Sequence, residues 1–308
     1  MDVELEPEEA KTALIEGELF VSHVRAVRDL AIFVQLALQG LKLGTEATDF
    51  PGIFQRFARL SRLPEVAHLL DDAVIASQVE RAKPLEEFAL AQKERGYSYL
   101  HGLACVRLMT ILETAVEEVV VSAFLKLPVP WSQPPLSRLQ GPLLPFMRLS
   151  EEDRAAQLLE LLSREINAPF QPGCAKFECL LEAVGLSGRV LPSVRRLILE
   201  LSESRNVVVH KGGRVDSRFL QRCPWSTLKP GDDLAIDNRT YQRFSEASRW
   251  YLFEVYRRWT TIAYPLMPKD KEYTPPTTIE KFCNSTEGLI EQLLAPCPKE
   301  LEDPNSAA

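Results

Sequence analysis

Residues 203–213 read Glu-Ser-Arg-Asn-Val-Val-Val-His-Lys-Gly-Gly, and within them Arg205, Asn206 and His210 are the types and spacing that could do chemistry. Asn206 and His210 are four apart and share a helix face; Arg205 is one step round, with a stem long enough to reach the same spot. The guanidinium is a permanently charged fork of donors that matches phosphate oxygens, and the imidazole takes or gives a proton near neutral pH. Such a set suits a phosphodiester. The same residues also serve as dipole partners and caps at a helix C-terminus, and spacing alone leaves both readings open.

The elements that must hold this trio can be read from the apolar pattern. A helix over 194–209, with Leu197, Ile198 and Leu201 on its apolar side, carries the trio and stops at Gly212 and Gly213, which take the left-handed backbone of a helix end. The stretch from Tyr97 to Leu127 is apolar almost all round, which predicts a helix at the centre of a bundle. Glu113 in it either faces solvent or is held by a cation. Residues 1–40 have helical periodicity, ended by Gly40 and Gly44, and Pro51 and Pro64 break the next stretch of helical pattern. Pro84 is placed to open the next helix at its first turn. Phe33, Phe54 and Phe57 are expected in the core, and His23 and His68 have no carboxylate or Cys at ligand spacing, so each is read as structural or exposed.

Six prolines rule out a continuous helix over 128–149; Ser150, followed by three acids, starts one again. Phe177 to Val184 make a short helix closed by Gly185. Residues 215–225 form a crossing segment, Gly231 a turn, and Asp237 or Asn238 the cap of a last helix whose aromatics are read as core. One more amphipathic helix is expected over Ile279 to Leu294.

The chain has 308 residues, 45% hydrophobic and 26% charged, an ordinary globular composition with net charge −7. Against that sum, residues 186–222 hold eight Arg or Lys and three acids, so Lys211, Arg214 and Arg218 surround the trio with positive charge; a solvated face explains such a run equally well. The longest apolar run, Leu30–Leu38, is too short to cross a bilayer, and the acidic start lacks the basic region of a signal peptide. With six scattered cysteines, these features predict a cytoplasmic protein that makes no membrane contact. No phosphate-binding glycine loop, dinucleotide fingerprint or zinc signature occurs, and no metal or cofactor is expected.

Arg205-Asn206-x3-His210 followed by Gly213, Val215, Asp216, Phe219 and Leu220 resembles the Arg-x4-His signature of HEPN domains, most closely the RiboL-PSP type. Gly231 to Ile236 is similar to that family's short extended segment before its last helix. The resemblance covers roughly half the chain and implies an all-α fold with a HEPN-like four- or five-helix bundle over 96–265; the apolar pattern adds an N-terminal helical region of unassigned family over 1–95 and a tail over 266–308 carrying one short helix. It also implies a metal-independent endoribonuclease of the toxin or phage-defence kind. In that family's pattern Arg205 binds the phosphate, His210 handles the proton, Asn206 positions either, and Glu113 or Glu117 orients Arg205 or His210. The partners implied are RNA, a second copy of the chain whose motif helix faces the first, and an antitoxin or defence-system protein. A catalytically silent HEPN-type module for dimerisation or nucleotide binding is the alternative.

Overall fold

The computed structural model describes residues 7–61 and 72–263. The expected helix over 279–294, together with Pro64, His68, Cys283 and Cys297, lies outside the described residues. Within them the chain is all helical: α1 (Pro7–Gly44), α2 (Phe50–Ser61), α3 (Asp72–Glu94), α4 (Ser98–Lys126), α5 (Leu143–Met147), α6 (Glu151–Glu165), α7 (Cys174–Ala183), α8 (Pro192–His210), α9 (Ser217–Arg222) and α10 (Asn238–Ala263). No helix among the described residues is long and apolar enough to cross a membrane.

Helix α4 sits at the centre, as its all-round apolar pattern requires: it packs against α1, α6, α7, α8 and α10 and buries Ala104, Cys105, Leu108, Leu112, Val116 and Val120. Helix α1 joins the same core through Val27, Val34 and Leu38. Those three recur at helical spacing on one face. Phe33, one step before Val34, therefore points about 100° away and is 60% exposed. Phe54 of α2 is likewise 57% exposed. Neither is core, because periodicity marks an apolar face without saying which helix covers it. The side chain of Phe57 lies outside the described residues.

Local signals hold in most places. Ser150 caps α6, its Oγ accepting the Asp153 N–H at 3.1 Å. Asp237, rather than Asn238, caps α10 through the Thr240 N–H at 2.7 Å. Gly185 is left-handed after α7, and Leu186 N–H returns to the Leu181 carbonyl at 2.8 Å. One expectation holds only in part and another fails. Helix α1 runs through Gly40 and stops at Gly44, where a side chain would crowd Ala89 of α3. Pro84 does not open a helix; it lies inside α3. It is exposed there, so the carbonyl it cannot serve, that of exposed Glu80, can be met by water. His23 does meet a carboxylate, its Nε2 lying 2.6 Å from Glu118 Oε2 on α4, 95 residues away in sequence.

A buried ion network ties α10 to the approach to α8. Arg258 on α10 donates to Glu254 at 3.0 Å and to Glu178 of α7 at 2.9 Å, and reaches the carbonyls of Leu186 and Arg189. Tyr251 Oη donates to the same Glu178 at 2.6 Å. Gly188 lies against the guanidinium, in the space a Cβ would need.

Past α8 a second set of bonds fixes its far end. Val215 N–H donates to the Asp232 carbonyl at 2.9 Å and Leu234 N–H to that of Gly213 at 2.8 Å, so 213–215 pairs with 231–234. The Ile236 N–H then meets Ser98 Oγ at 2.9 Å, and buried His101 donates from Nδ1 to the Ile236 carbonyl at 3.0 Å.

Arg258→Met leaves Glu178 buried without its cation and Glu254 with only Arg257, and it should cost roughly 3–5 kcal/mol. Urea unfolding of that variant and of Gly188→Ala, which displaces the same guanidinium, measures this; wild-type midpoints in both would contradict the role of the network.

Burial, outweighing the Ile236 carbonyl and the Asp237 charge, lowers the His101 pKa below its ordinary 6.5. The unfolded chain then binds a proton that the native one refuses, so this stability is present above about 6.5 and is lost as pH falls further. His101→Phe should be less stable at neutral pH, since the Ile236 carbonyl loses its donor. It should also lose less stability on acidification from about pH 7 to about pH 5, which denaturation at both pH values checks.

Candidate functional site

The last turns of α8 are where chemistry and structure meet. Gly212 and Gly213 have φ of 59° and 84°, and the N–H groups of Lys211 and Gly213 both close onto the Val207 carbonyl at 3.0 and 3.1 Å. The helix thus stops where the paired glycines predict, with His210 as its last residue. Asp216 caps α9 immediately afterwards, accepting the Phe219 N–H at 2.9 Å. That bond, ahead of the opposing burial and of nearby Lys211, holds the Asp216 carboxyl below the usual range.

Beside these turns lies a polar cleft of about 120 Å³, where α4, α7, α8, α9 and the segment 169–171 meet. Arg205, Asn206, Arg218, Arg222, Lys176 and Glu113 line it, with Ser202 and Gln171. Arg205 Nη1 donates to Asn206 Oδ1 at 3.3 Å. Neither Arg205 nor Arg218 makes a direct ion pair with a carboxylate among the described residues, although Arg218 helps hold the Asp216 carboxyl low from a distance. The other two cations do. Lys176 Nζ is 2.7 Å from Glu113 Oε1, and Arg222 pairs with Glu203, whose side chain is only 3% exposed.

The predicted site residues therefore separate. Arg205, Asn206 and Arg218 come together at the cleft. Glu113 also lines it, but its cation is Lys176 rather than Arg205 or His210; Glu117 is exposed. His210 is exposed and outside the lining. Lys211 turns to Asp216, 3.5 Å away, and Arg214 is exposed with its backbone bridged to Asp233. Sequence reasoning misses Lys176 and Arg222. Arg222 stands in the basic run, but nothing local distinguishes it, and Lys176 is 63 residues from Glu113.

Two unpaired guanidiniums and an amide in one cleft attract an anion with several oxygens, and each guanidinium can bind in bidentate fashion. This donor set does not suit a metal, and no group of three or more His, Cys, Asp or Glu that could hold one occurs among the described residues. Protein-family models, curated proteins and solved structures were all compared with the chain, and none matches.

The paired and unpaired cations should respond differently to mutation. Arg222→Ala strands a buried Glu203 and should lower the melting temperature by several degrees, whereas Arg205→Ala and Arg218→Ala should melt as the wild type does. Added pyrophosphate should raise the wild-type melting temperature, and less so in the latter two variants. Equal stabilisation of all the proteins would place the anion elsewhere.

Proposed function

We propose that this protein is a metal-independent endoribonuclease, with the α8 cleft as its phosphate site. The observation that carries the reading is the convergence of Arg205, Asn206 and Arg218, free of direct ion pairs with carboxylates among the described residues, with His210 exposed one helical turn beyond Asn206. The resemblance of Arg205-Asn206-x3-His210 to the HEPN signature points the same way.

In this reading RNA supplies its own nucleophile. The 2′-hydroxyl attacks the adjacent phosphorus while the bond to the 5′-oxygen breaks. One imidazole accepts the 2′ proton and another donates a proton to the leaving oxygen, while Arg205 and Arg218 stabilise charge on the phosphate. A chain with one exposed His210 needs a second copy to provide both rings at once, so the active species is a homodimer in which two α8 ends face each other. General acid–base assistance of this kind contributes about 10²–10⁴-fold. The setting is a toxin or defence system inside the cell, with an antitoxin or defence partner restraining the activity.

A second reading has its own observation. His210 lies outside the lining of the cleft, as it would in a catalytically silent HEPN-type module that binds a nucleotide or dimerises through this face.

Product ends separate the two. Cleavage of RNA but not DNA, surviving EDTA and leaving a 2′,3′-cyclic phosphate and a 5′-hydroxyl, is expected, with activity lost in His210→Ala. Arg205→Lys keeps the charge without the fork and should cut activity substantially while leaving the fold intact. Products ending in 3′-hydroxyl and 5′-phosphate would rule out this route. Binding without cleavage would favour the silent module, and a monomer by light scattering at micromolar concentration would argue against the shared site.

A further inference from the structure

Phe170 is 80% exposed, more than any other large apolar side chain among the described residues, and it stands on the lining of a cationic cleft. Nothing about the turn that carries it is loose. Ala168–Phe170 is a single 3-10 turn with Ala168 fully buried, and the N–H groups of Phe170 and Gln171 close onto the carbonyls of Asn167 and Ala168 at 3.1 Å each. On the other side Gly173 is pressed on α8: a Cβ there would fall 2.7 Å from Leu199 Cα. Pro169 and Pro172 stiffen the stretch between these anchors. The ring is thus held in water by a rigid mount on the helix that, six residues after Leu199, supplies Arg205.

We infer that Phe170 is the stacking platform for one unpaired nucleobase next to the phosphate held by Arg205 and Arg218, so that the cleft takes single-stranded RNA. The inference rests on the reading of the cleft as an RNA site and adds its strand preference. An exposed aromatic beside unpaired guanidiniums offers both parts of a nucleotide a partner, a π-face for the base and forks for the phosphate. In a duplex that face is already occupied by neighbouring bases. Gln171, adjacent on the lining, carries a donor and an acceptor within the same mouth, suited to a base edge. Stacking accepts any base, so the site selects for an unpaired nucleotide more than for a sequence.

The test measures binding by fluorescence anisotropy, using full-length protein with His210→Ala to prevent cleavage. The probes are a short oligoribonucleotide, the same strand in a duplex, and strands with one abasic residue placed at each position in turn. Phe170→Ala should weaken the single strand roughly 5- to 150-fold and Phe170→Trp should restore it. The duplex should bind weakly to all the proteins. One abasic position should reproduce the loss in Phe170-containing protein and add nothing to Phe170→Ala. Stabilisation by pyrophosphate should be the same with and without Phe170. If Arg205→Ala weakens the strand but Phe170→Ala does not, the platform is wrong and the RNA site stands; if neither does, both fall. A Phe170→Ala protein that binds RNA normally but shifts from dimer to monomer would make the ring a protein contact and overturn the inference.

Discussion

A buried guanidinium organises the molecule. Arg258 reaches from α10 to Glu178 on α7 and to the carbonyls of Leu186 and Arg189, which precede α8, while Glu254 completes its charge from one turn back. Such a group is costly to bury, and it is tolerated only where its donors are matched by carboxylates and carbonyls in good geometry. That requirement makes it a constraint of register: α10, α7 and the loop before α8 have one relative placement that satisfies it. Gly188 leaves the room in which it fits. The start of α8 is thereby held from one side of the molecule. The pairing of 213–215 with 231–234, stitched to α4 by Ser98 and His101, holds the segment beyond its end from the other.

With both ends of α8 fixed, the character of the cleft depends on which cations are already engaged. Arg222 is used by buried Glu203 to hold α9 on α8, and nearby Trp225 is held by Glu200 at 2.9 Å and by Arg196 over its ring at 4.5 Å. Lys176 is used by Glu113 to join α7 to α4. Arg205 and Arg218 line the same cleft without such a partner among the described residues. A basic run that looks uniform in sequence thus divides into structural cations, whose charge is spent within the fold, and cations without an ion-pair partner among the described residues. The unpaired guanidiniums share the lining of the cleft with the exposed Phe170.

Much of the fold was legible in the sequence because its signals are local. A hydroxyl before three acids starts α6, a carboxylate starts α10, two glycines stop α8, and an apolar pattern without a polar side makes α4 the central helix. Each acts within a turn or two of backbone, where the sequence neighbours are also the spatial ones. Pro84 and Gly40 show the limit even of local rules: both are unfavourable inside a helix, and both lie inside one at exposed positions.

What the sequence by itself determined about this protein is its helical character, most of its caps and stops, and the placing of Arg205, Asn206 and His210 together at one helix end. Tertiary structure decided which of those residues face a cleft and which charges there are free. It brought Lys176 to Glu113 across 63 positions and His23 to Glu118 across 95, left Phe33 and Phe54 in water, and set Phe170 beside Arg205. The reason is physical: a helix's hydrogen bonds close over four residues, whereas burial and ion pairing depend on what lies across a gap between helices, where distance along the chain carries no information.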